Sequence, residues 1–453
     1  MKKINLRERV GIYARAEPSR IAVVTPSGAL SFGELAVPSA SFPGRNVAIV
    51  ASSLLFAISG LVSNDGKARS LALFPAGMAA NEIEIFLGQL DFDVFLSDST
   101  EVASDFVKSE VLDAVGLDSI RSDKELENLE VETQWLIPTS GTTSTPKLVR
   151  HTATSLARAG RSSSESGDDN EVWGLLYDPA RFAGLQVVFQ SVFSGKTLVV
   201  PPEGVSLEER VAFLAEHEVT HISATPTLWR KILMVPGSSL LPLRKITLGG
   251  EASDQLILSA LRSRYPQARI THVYASTEAG VGFWVSDDKA GFPAHFLVNN
   301  PGKPELEIRD GYLWVRSQGA ASGYVNRELV TDDGWVNTGD IAEVRGDRFF
   351  ILGRGGQTVN VGGDKVMTEQ VRLALLECEA VADAYVFGRS NPITGTIVAA
   401  EVVLSEGQSR ESARERIDEF LRNRLRETER PRVIRFVEEI SVSSTGKAMA
   451  KGG

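Results

Sequence analysis

Short apolar runs alternate with polar or glycine-rich turns along the first three quarters of the chain. Residues 46–51 (NVAIVA) and 92–97 (FDVFLS) have the length and β-branched or aromatic content of buried strands. Trp135-Leu136-Ile137 reads as another. The nine residues Thr139 to Lys147 that follow are rich in hydroxyls and small side chains, and the pattern turns extended again through Leu148, Val149 and His151. Ser206 and Glu209 form a capping-box pattern opening a helix whose Leu207, Val211 and Leu214 share one face. Strand candidates then recur at 221–226, 245–250, 270–275, 312–317 and 348–353. Beyond Arg354 the pattern has its own organisation. A helix near Thr368–Cys378 precedes the strands AYVFG and TIVAAEVVL. A last helix carries Ile417, Phe420, Leu421 and Leu425 on one face and stops before Pro431. This order predicts an α/β fold, with a large N-terminal domain of layered β-sheets and helices (1–353) and a small α+β C-terminal domain (354–453).

Composition narrows the function classes. A chain of 453 residues exceeds one ordinary core, and 43% apolar with 23% charged content is that of a soluble globular protein. The net charge of −10 argues against nonspecific binding to nucleic acid or to an anionic membrane. The run LLFAISGLVS (54–63) is too short to span a bilayer, so no membrane insertion is expected. Basic residues open the chain without an apolar segment behind them, which is not the pattern of a signal peptide. With Cys378 as the single cysteine, no internal disulfide can form, and the expected location is cytoplasmic.

Five stretches carry candidate chemistry. The loop Thr139–Lys147 suits a polyanion, since Gly141 admits close backbone approach and hydroxyls with one ammonium add donors. It is not a Walker loop, lacking the second glycine and a following Lys-Ser/Thr. YASTEAG (274–280) offers an aromatic face, hydroxyls and a carboxylate for a base, phosphates and a metal. WVNTGD (335–340) ends in an aspartate suited to a ribose diol. GRGGQTVNVGGDKV (353–366) is a glycine-rich junction, and STGKAM (444–449) puts a lysine on a turn near the C-terminus. Taken singly, each has a bland alternative: a solvated turn, a buried tyrosine, a strand-end turn, a loose linker, a solvated tail lysine.

In this order the five stretches resemble the adenylate-forming superfamily of AMP-binding enzymes: acyl- and aryl-CoA synthetases, firefly luciferase and the adenylation domains of nonribosomal peptide synthetases. The likeness covers nearly the whole chain, with 175–202 similar to the family's substrate-pocket segment, and 220–233 and 245–252 to the strands before its adenine site. It implies an ATP-dependent acid–thiol ligase. A carboxylic acid would be adenylated with release of pyrophosphate, then passed to CoA or to the phosphopantetheine of a carrier protein with release of AMP. By similarity, Thr139, Ser140, Gly141, Thr142, Thr143 and Lys147 would hold the β- and γ-phosphates. Gly249, Gly250 and Glu251 would face one side of the adenine, with Tyr274, Ala275 and Ser276 along the other. Thr277 would contact the α-phosphate, Glu278 Mg²⁺, and Asp340 with Arg354 the ribose. Lys447, with Lys147, Thr277 and Glu278, would be catalytic. Tyr177, Arg181, Phe182, Gly184 and Gly280 would line the acid pocket, with Phe189, Phe283 and Trp284 making it suit an apolar or aromatic acid.

The departures are specific. Ser144 and Ala275 stand where the family has glycines. Gly356, beside Gly355, stands at the hinge position usually held by aspartate or lysine, which implies a looser hinge for a mobile small domain. Arg181 stands where many relatives carry a gating histidine, and could meet a substrate carboxylate or snorkel to the surface. Three other readings remain: a stand-alone enzyme loading a separate carrier protein, a nucleotide-binding homologue without turnover, and a zinc hydrolase from His217-Glu-Val-Thr-His221. The last needs a continuous helix, whereas His221 reads as strand, where residues four apart lie about 13 Å apart. Gly116-Leu-Asp-Ser119 resembles a phosphopantetheine attachment site without room for a carrier bundle.

Overall fold

Continuous apolar runs become the inner strands of two sheets that share one core. The computed structural model describes residues 5–75, 78, 80–98, 130–139, 146–157, 170–298, 304–329, 331–354, 358–361, 364–391, 395–442 and 448–449. Asn46–Ala51 and Ser70–Pro75 are buried on both faces and pair in parallel, as strands flanked by helices on both sides must. They belong to a six-stranded sheet in the order Gly323–Tyr324, Lys147–Thr152, Gln134–Thr139, Ser70–Pro75, Asn46–Ala51, Val94–Leu96. An eight-stranded sheet runs Gly280–Val285, Arg269–Ser276, Lys245–Leu248, His221–Ala224, Val172–Leu175, Thr197–Val199, Ile21–Thr25, Gly28–Ser31. The helices Leu54–Asn64 and Phe182–Ser191 contribute Ile58, Leu61, Leu185 and Phe189 to a core shared with Ile49, Trp135 and Trp173 from the two sheets. Across the eight-stranded sheet, Ile222, Ile246 and Ile270 pack under the helices Leu207–Glu216, Pro226–Met234 and Gln255–Arg264.

A six-stranded sheet built around the antiparallel strands Trp335–Arg345 and Arg348–Arg354 follows. Beyond Arg354 the strands Val381–Asn391, Gly395–Leu404 and Val433–Phe436 form a small sheet. It buries Val386, Val398 and Val402 against Leu375 of Thr368–Leu376 and Ile417 of Arg410–Arg422. The mixed α/β architecture, a large N-terminal part and a smaller C-terminal one, is that expected from the apolar pattern. Four predicted strands, at 92–97, 221–226, 245–250 and 312–317, are shorter than their sequence windows. HISATP stops at Ala224 because Thr225 caps the helix at Pro226, and FDVFLS is extended only over Val94–Leu96. No helix among the described residues is long and apolar enough to cross a membrane.

The N-terminal helix Leu6–Ala16 is fastened to the core by one buried carboxylate. Asp65 accepts from the Leu6 backbone N–H at 2.7 Å and from the Trp135 indole N–H at 3.0 Å. Burial lifts its pKa from 3.8 to about 6, against the pull of those donors. Because the folded value is raised, the native state takes up a proton between those limits, and the stability this group contributes is lost as pH rises through about 6. Asp65→Asn is therefore expected to flatten the pH dependence of urea unfolding between pH 4 and 7 relative to wild type. Asp65→Ala, which strands both donors, should cost about 3 kcal/mol by the same measurement.

Candidate active site

Parallel strands present their C-terminal ends on one rim of a sheet, and open α/β sheets hold ligands there. Here the rim is formed by the segments after Leu175, Ala224, Leu248 and Ser276. A cleft of about 2510 Å³ lies over it, closed on the far side by Asp340, Arg354 and, from the C-terminal part, Ala448 and Met449.

Tyr274 sits near the end of Arg269–Ser276, its ring stacked on Phe283 at 5.0 Å and 13°. Its hydroxyl donates to Asp340 Oδ2, joining the eight-stranded sheet to the antiparallel one. Burial, reinforced by the Asp340 charge, pushes the phenol well above its usual value, so it remains a donor. Arg354, directly across the ladder from Asp340, places its Nε 3.4 Å from the Asp340 Oδ1. Asp340 is thus held from one side by a phenol and from the other by a guanidinium.

Three residues after Tyr274, the Thr277 carbonyl accepts from His151 Nε2 at 2.6 Å, while Ser155 Oγ lies 3.0 Å from Nδ1. A carbonyl only accepts, which fixes the Nε2-protonated tautomer. Burial depresses His151 to about 4, leaving the ring neutral at physiological pH. The Glu278 carboxylate accepts from the Tyr324 hydroxyl at 3.2 Å, and Lys147 Nζ stands 5.5 Å from the Tyr324 ring centre. Lys147 faces Thr139 across a two-stranded ladder, with Thr139 Oγ1 donating to the Lys147 carbonyl at 3.1 Å. Gln89 clamps the outgoing strand, donating to the Pro146 carbonyl at 2.8 Å and accepting from the Leu148 N–H at 3.0 Å. Ser140, Gly141, Thr142 and Thr143 of the loop between, together with Ser144, the hinge candidates Gly355 and Gly356, Lys447, and Gly116–Ser119, lie outside the described residues.

Among the pocket candidates the structure separates wall from packing. Tyr177, Arg181, Phe182 and Trp284 line the cleft, as do Gly249, Gly250, Ala275, Ser276 and Thr277. Gly184 and Gly280 do not. A Cβ on Gly184 would fall 2.1 Å from the Asp178 carbonyl, and one on Gly280 would fall 2.2 Å from the Gly319 carbonyl; both are glycines so that backbones can approach. Phe189 is likewise core, edge-on to Trp135 at 5.1 Å, and Phe283 is buried beneath Tyr274. Arg181 already donates to the Pro138 carbonyl at 3.0 Å and lies 3.7 Å from Asp178, so it braces the strand before the hydroxyl loop. Glu251, expected to offer backbone to a base, uses its side chain. One oxygen accepts from the Thr227 N–H at 3.1 Å and the other from the Ala448 N–H at 3.0 Å. His217 caps the end of Leu207–Glu216 and His221 begins the next strand, so the two never share a helix face. No group of three metal-ligating side chains occurs among the described residues.

Residues 85–325 match the family model described as AMP-binding enzyme, and residues 373–447 match the AMP-binding enzyme C-terminal domain. The chain belongs to the AMP-binding enzyme family. Similar members of that family include a 2-succinylbenzoate–CoA ligase of Bacillus velezensis, 27% identical over 336 residues, covering 70% of this chain and 68% of that one. A plipastatin synthase of Bacillus subtilis is 24% identical over 363 residues, covering 73% of this chain and 14% of the much longer relative. Among solved structures, the o-succinylbenzoate CoA synthetase of Bacillus subtilis with its acyl-adenylate intermediate has a TM-score of 0.74 at 21% identity, over 98% and 97% of the two chains. An anthranilate CoA ligase with anthranoyl-AMP has a TM-score of 0.76 at 18% identity, over 97% and 95%. At those identities the likeness is one of fold, and this AMP-binding enzyme shares it along its length.

The neutral His151 gives a direct check on the geometry. Its ring nitrogen resonances are expected to stay those of the Nε2-protonated neutral form from pH 8 to 5.5 and to move only near 4. Titration near the ordinary 6.5 in an NMR experiment would show that the ring is not buried against Thr277.

Proposed function

We propose that the chain is an ATP-dependent acid–thiol ligase. It joins a carboxylate to the α-phosphate of ATP, releasing pyrophosphate, and then transfers the acyl group from the adenylate to a thiol, releasing AMP. The observation that carries this reading is convergence. Thr139, Lys147, Tyr274, Thr277, Glu278, Asp340 and Arg354, scattered over more than two hundred positions, line one cleft in a chain of the AMP-binding family. Relatives named as CoA ligases favour CoA as the thiol. A reaction that consumes ATP and a free thiol belongs in the cytoplasm.

The residues fit the nucleotide in chemical kind. Asp340, held by a phenol and a guanidinium, suits the two hydroxyls of a ribose, and the Tyr274 ring suits the base. The hydroxyl loop with Lys147 suits the outer phosphates. A single carboxylate, Glu278, suits Mg²⁺, which takes most of its ligands from phosphate and water. When bound there, Mg²⁺ supplies charge neutralisation at the phosphates. The remaining work is positioning. Bringing two anions together costs roughly 4 kcal/mol per pair of unit charges at 4 Å in a surface-like dielectric. Thr277 binds the α-phosphate, and Lys447 offsets the charge as the acid oxygen and that phosphorus meet. The part from residue 354 onward acts as a lid that turns at Gly355–Gly356, delivering Lys447 for the first half-reaction and withdrawing it for the second.

Acid-dependent return of labelled pyrophosphate into ATP, scanned over aryl, fatty and amino acids, tests the first step; no response to any acid would sink the ligase reading. Lys447→Ala should lower adenylation by a hundredfold or more while thioester formation from a supplied acyl-adenylate keeps at least a third of its rate. Equal loss in both steps would refute the role given to Lys447. Asp340→Ala should raise the KM for ATP at least tenfold, with little change in the KM for the acid.

A further inference from the structure

The face of the eight-stranded sheet that looks into the cleft changes character along its length. Near the rim the wall is apolar, with Val273, Ala275 and Trp284 opposite Phe182 and Val187 of the helix Phe182–Ser191. Below it come two polar rows, set by strand register. Ser223, Thr247 and Thr271 are cross-strand neighbours in one row, and His221, Lys245 and Arg269 in the next. Residues on one face of a strand are spaced by two, so Lys245 lies about 13 Å below Gly249. On the adjoining strand Trp173 and Leu175, in the same rows, are apolar and packed in the core. The rows turn polar where the sheet passes from the core to the cleft.

Solvent exposure accounts for Arg269, which is exposed, but not for the buried members of the rows. His221, Ser223 and Thr271 are 7%, 6% and 6% exposed, yet all three line the cleft. Buried polar side chains are costly unless they meet partners, and here His221 meets the Thr220 hydroxyl at 2.8 Å and Thr271 that of Ser286 at 2.7 Å, so these side chains are held by the protein itself. The lowest row is also charged. Lys245 Nζ stands 5.2 Å from the Trp173 ring centre, and Arg244 and Arg269 flank it on the cleft wall. Beside these three cations stands a wall carboxylate, Glu171, which lies 3.8 Å from His221 and accepts from the Trp173 indole at 3.2 Å. Burial also lowers the Lys245 pKa, partly countered by Glu171, so an added anion would stabilise its charged form.

We propose that the acid activated here carries a second anionic group at its far end, joined to the reacting carboxylate by an apolar spacer, and that Lys245 and Arg269 receive that group. The proposal rests on the ligase reading for the identity of the bound molecule as an acid. It replaces the purely apolar or aromatic acid suggested by the aromatic residues of the pocket segment. The lower rows determine specificity and touch no reacting atom.

The test pairs adipate, suberate and sebacate with hexanoate, octanoate and decanoate, which differ only in the distal carboxylate. Calorimetric binding to the full chain and acid-dependent pyrophosphate exchange are both measured. At one length at least, the diacid should bind tenfold tighter and show a tenfold higher kcat/KM than its partner. Lys245→Met and, separately, the exposed Arg269→Gln should each erase most of that ratio through KM of the diacid, leaving the monoacid within twofold. Lys245→Arg should keep it. Diacids that bind no better than monoacids, or variants that depress both acids equally, overturn the proposal. Exchange that is silent while suberate binds in a Lys245-dependent way supports the anion site and rejects the ligase reading instead.

Discussion

The buried hydrogen bond from Tyr274 to Asp340 is the contact on which the site depends. It joins a strand of the parallel-rich sheet to a strand of the antiparallel one, across 66 positions of sequence. Neither partner could be buried alone: an isolated carboxylate in this position would be strongly disfavoured, and a phenol without an acceptor would lose a bond to water. Arg354 adds the cation that makes burial of the charge tolerable, and it can do so because the ladder sets it directly opposite Asp340. One interaction therefore fixes the ring, the carboxylate and the distance between two walls of the cleft. The same economy recurs at His151, where a neutral ring anchors the backbone of Thr277 and so orients the loop carrying Glu278.

Much of this was readable before any coordinates. Strands buried on both faces announce themselves as continuous apolar runs, and NVAIVA and the run at 134–139 fold as such, with the one buried polar side chain of the first, Asn46, bonded to the Asp91 carbonyl and the Ser70 hydroxyl. The site motifs were legible for a different reason: each packs several functional groups into a few adjacent residues, so spacing along the chain already implies proximity. Tyr274, Thr277, Glu278 and Asp340 accordingly reach the same cleft.

What escaped the sequence depends on register and on packing depth. Phe189 and Phe283 have the composition of pocket residues, yet periodicity alone does not say which of two apolar faces meets the cavity and which the core. Gly184 and Gly280 read as lining of the acid pocket, whereas the space beside each is taken by a backbone carbonyl, of Asp178 and of Gly319. The polar rows of the sheet are spread over 221–271 and become rows only once three strands are aligned side by side. Glu251 could not have been read as a bridge, because its partner Ala448 is 197 positions away and offers only a backbone N–H.

That bridge belongs to an interface of unusual make-up. Where the C-terminal part meets the helices Pro226–Met234 and Gln255–Arg264, ion pairs stand beside a small cavity lined largely by apolar side chains, among them Leu233, Ile257, Val403 and Ile440. Arg230 lies between Asp254 and Asp383, Lys231 reaches Glu439 at 3.1 Å, and Arg372, paired with Glu369 at 2.6 Å, also meets the Ala252 carbonyl. Buried ion pairs contribute little net stability compared with apolar packing, because desolvation offsets most of the attraction. They do impose register, since a charge displaced from its partner is penalised strongly. An interface of this kind separates at small net cost yet re-forms in one alignment, whereas an apolar seam of equal area would resist opening and tolerate sliding. Ion pairing thus suits the lid movement proposed for the C-terminal part, since it would let the segment around Ala448 return to the same place.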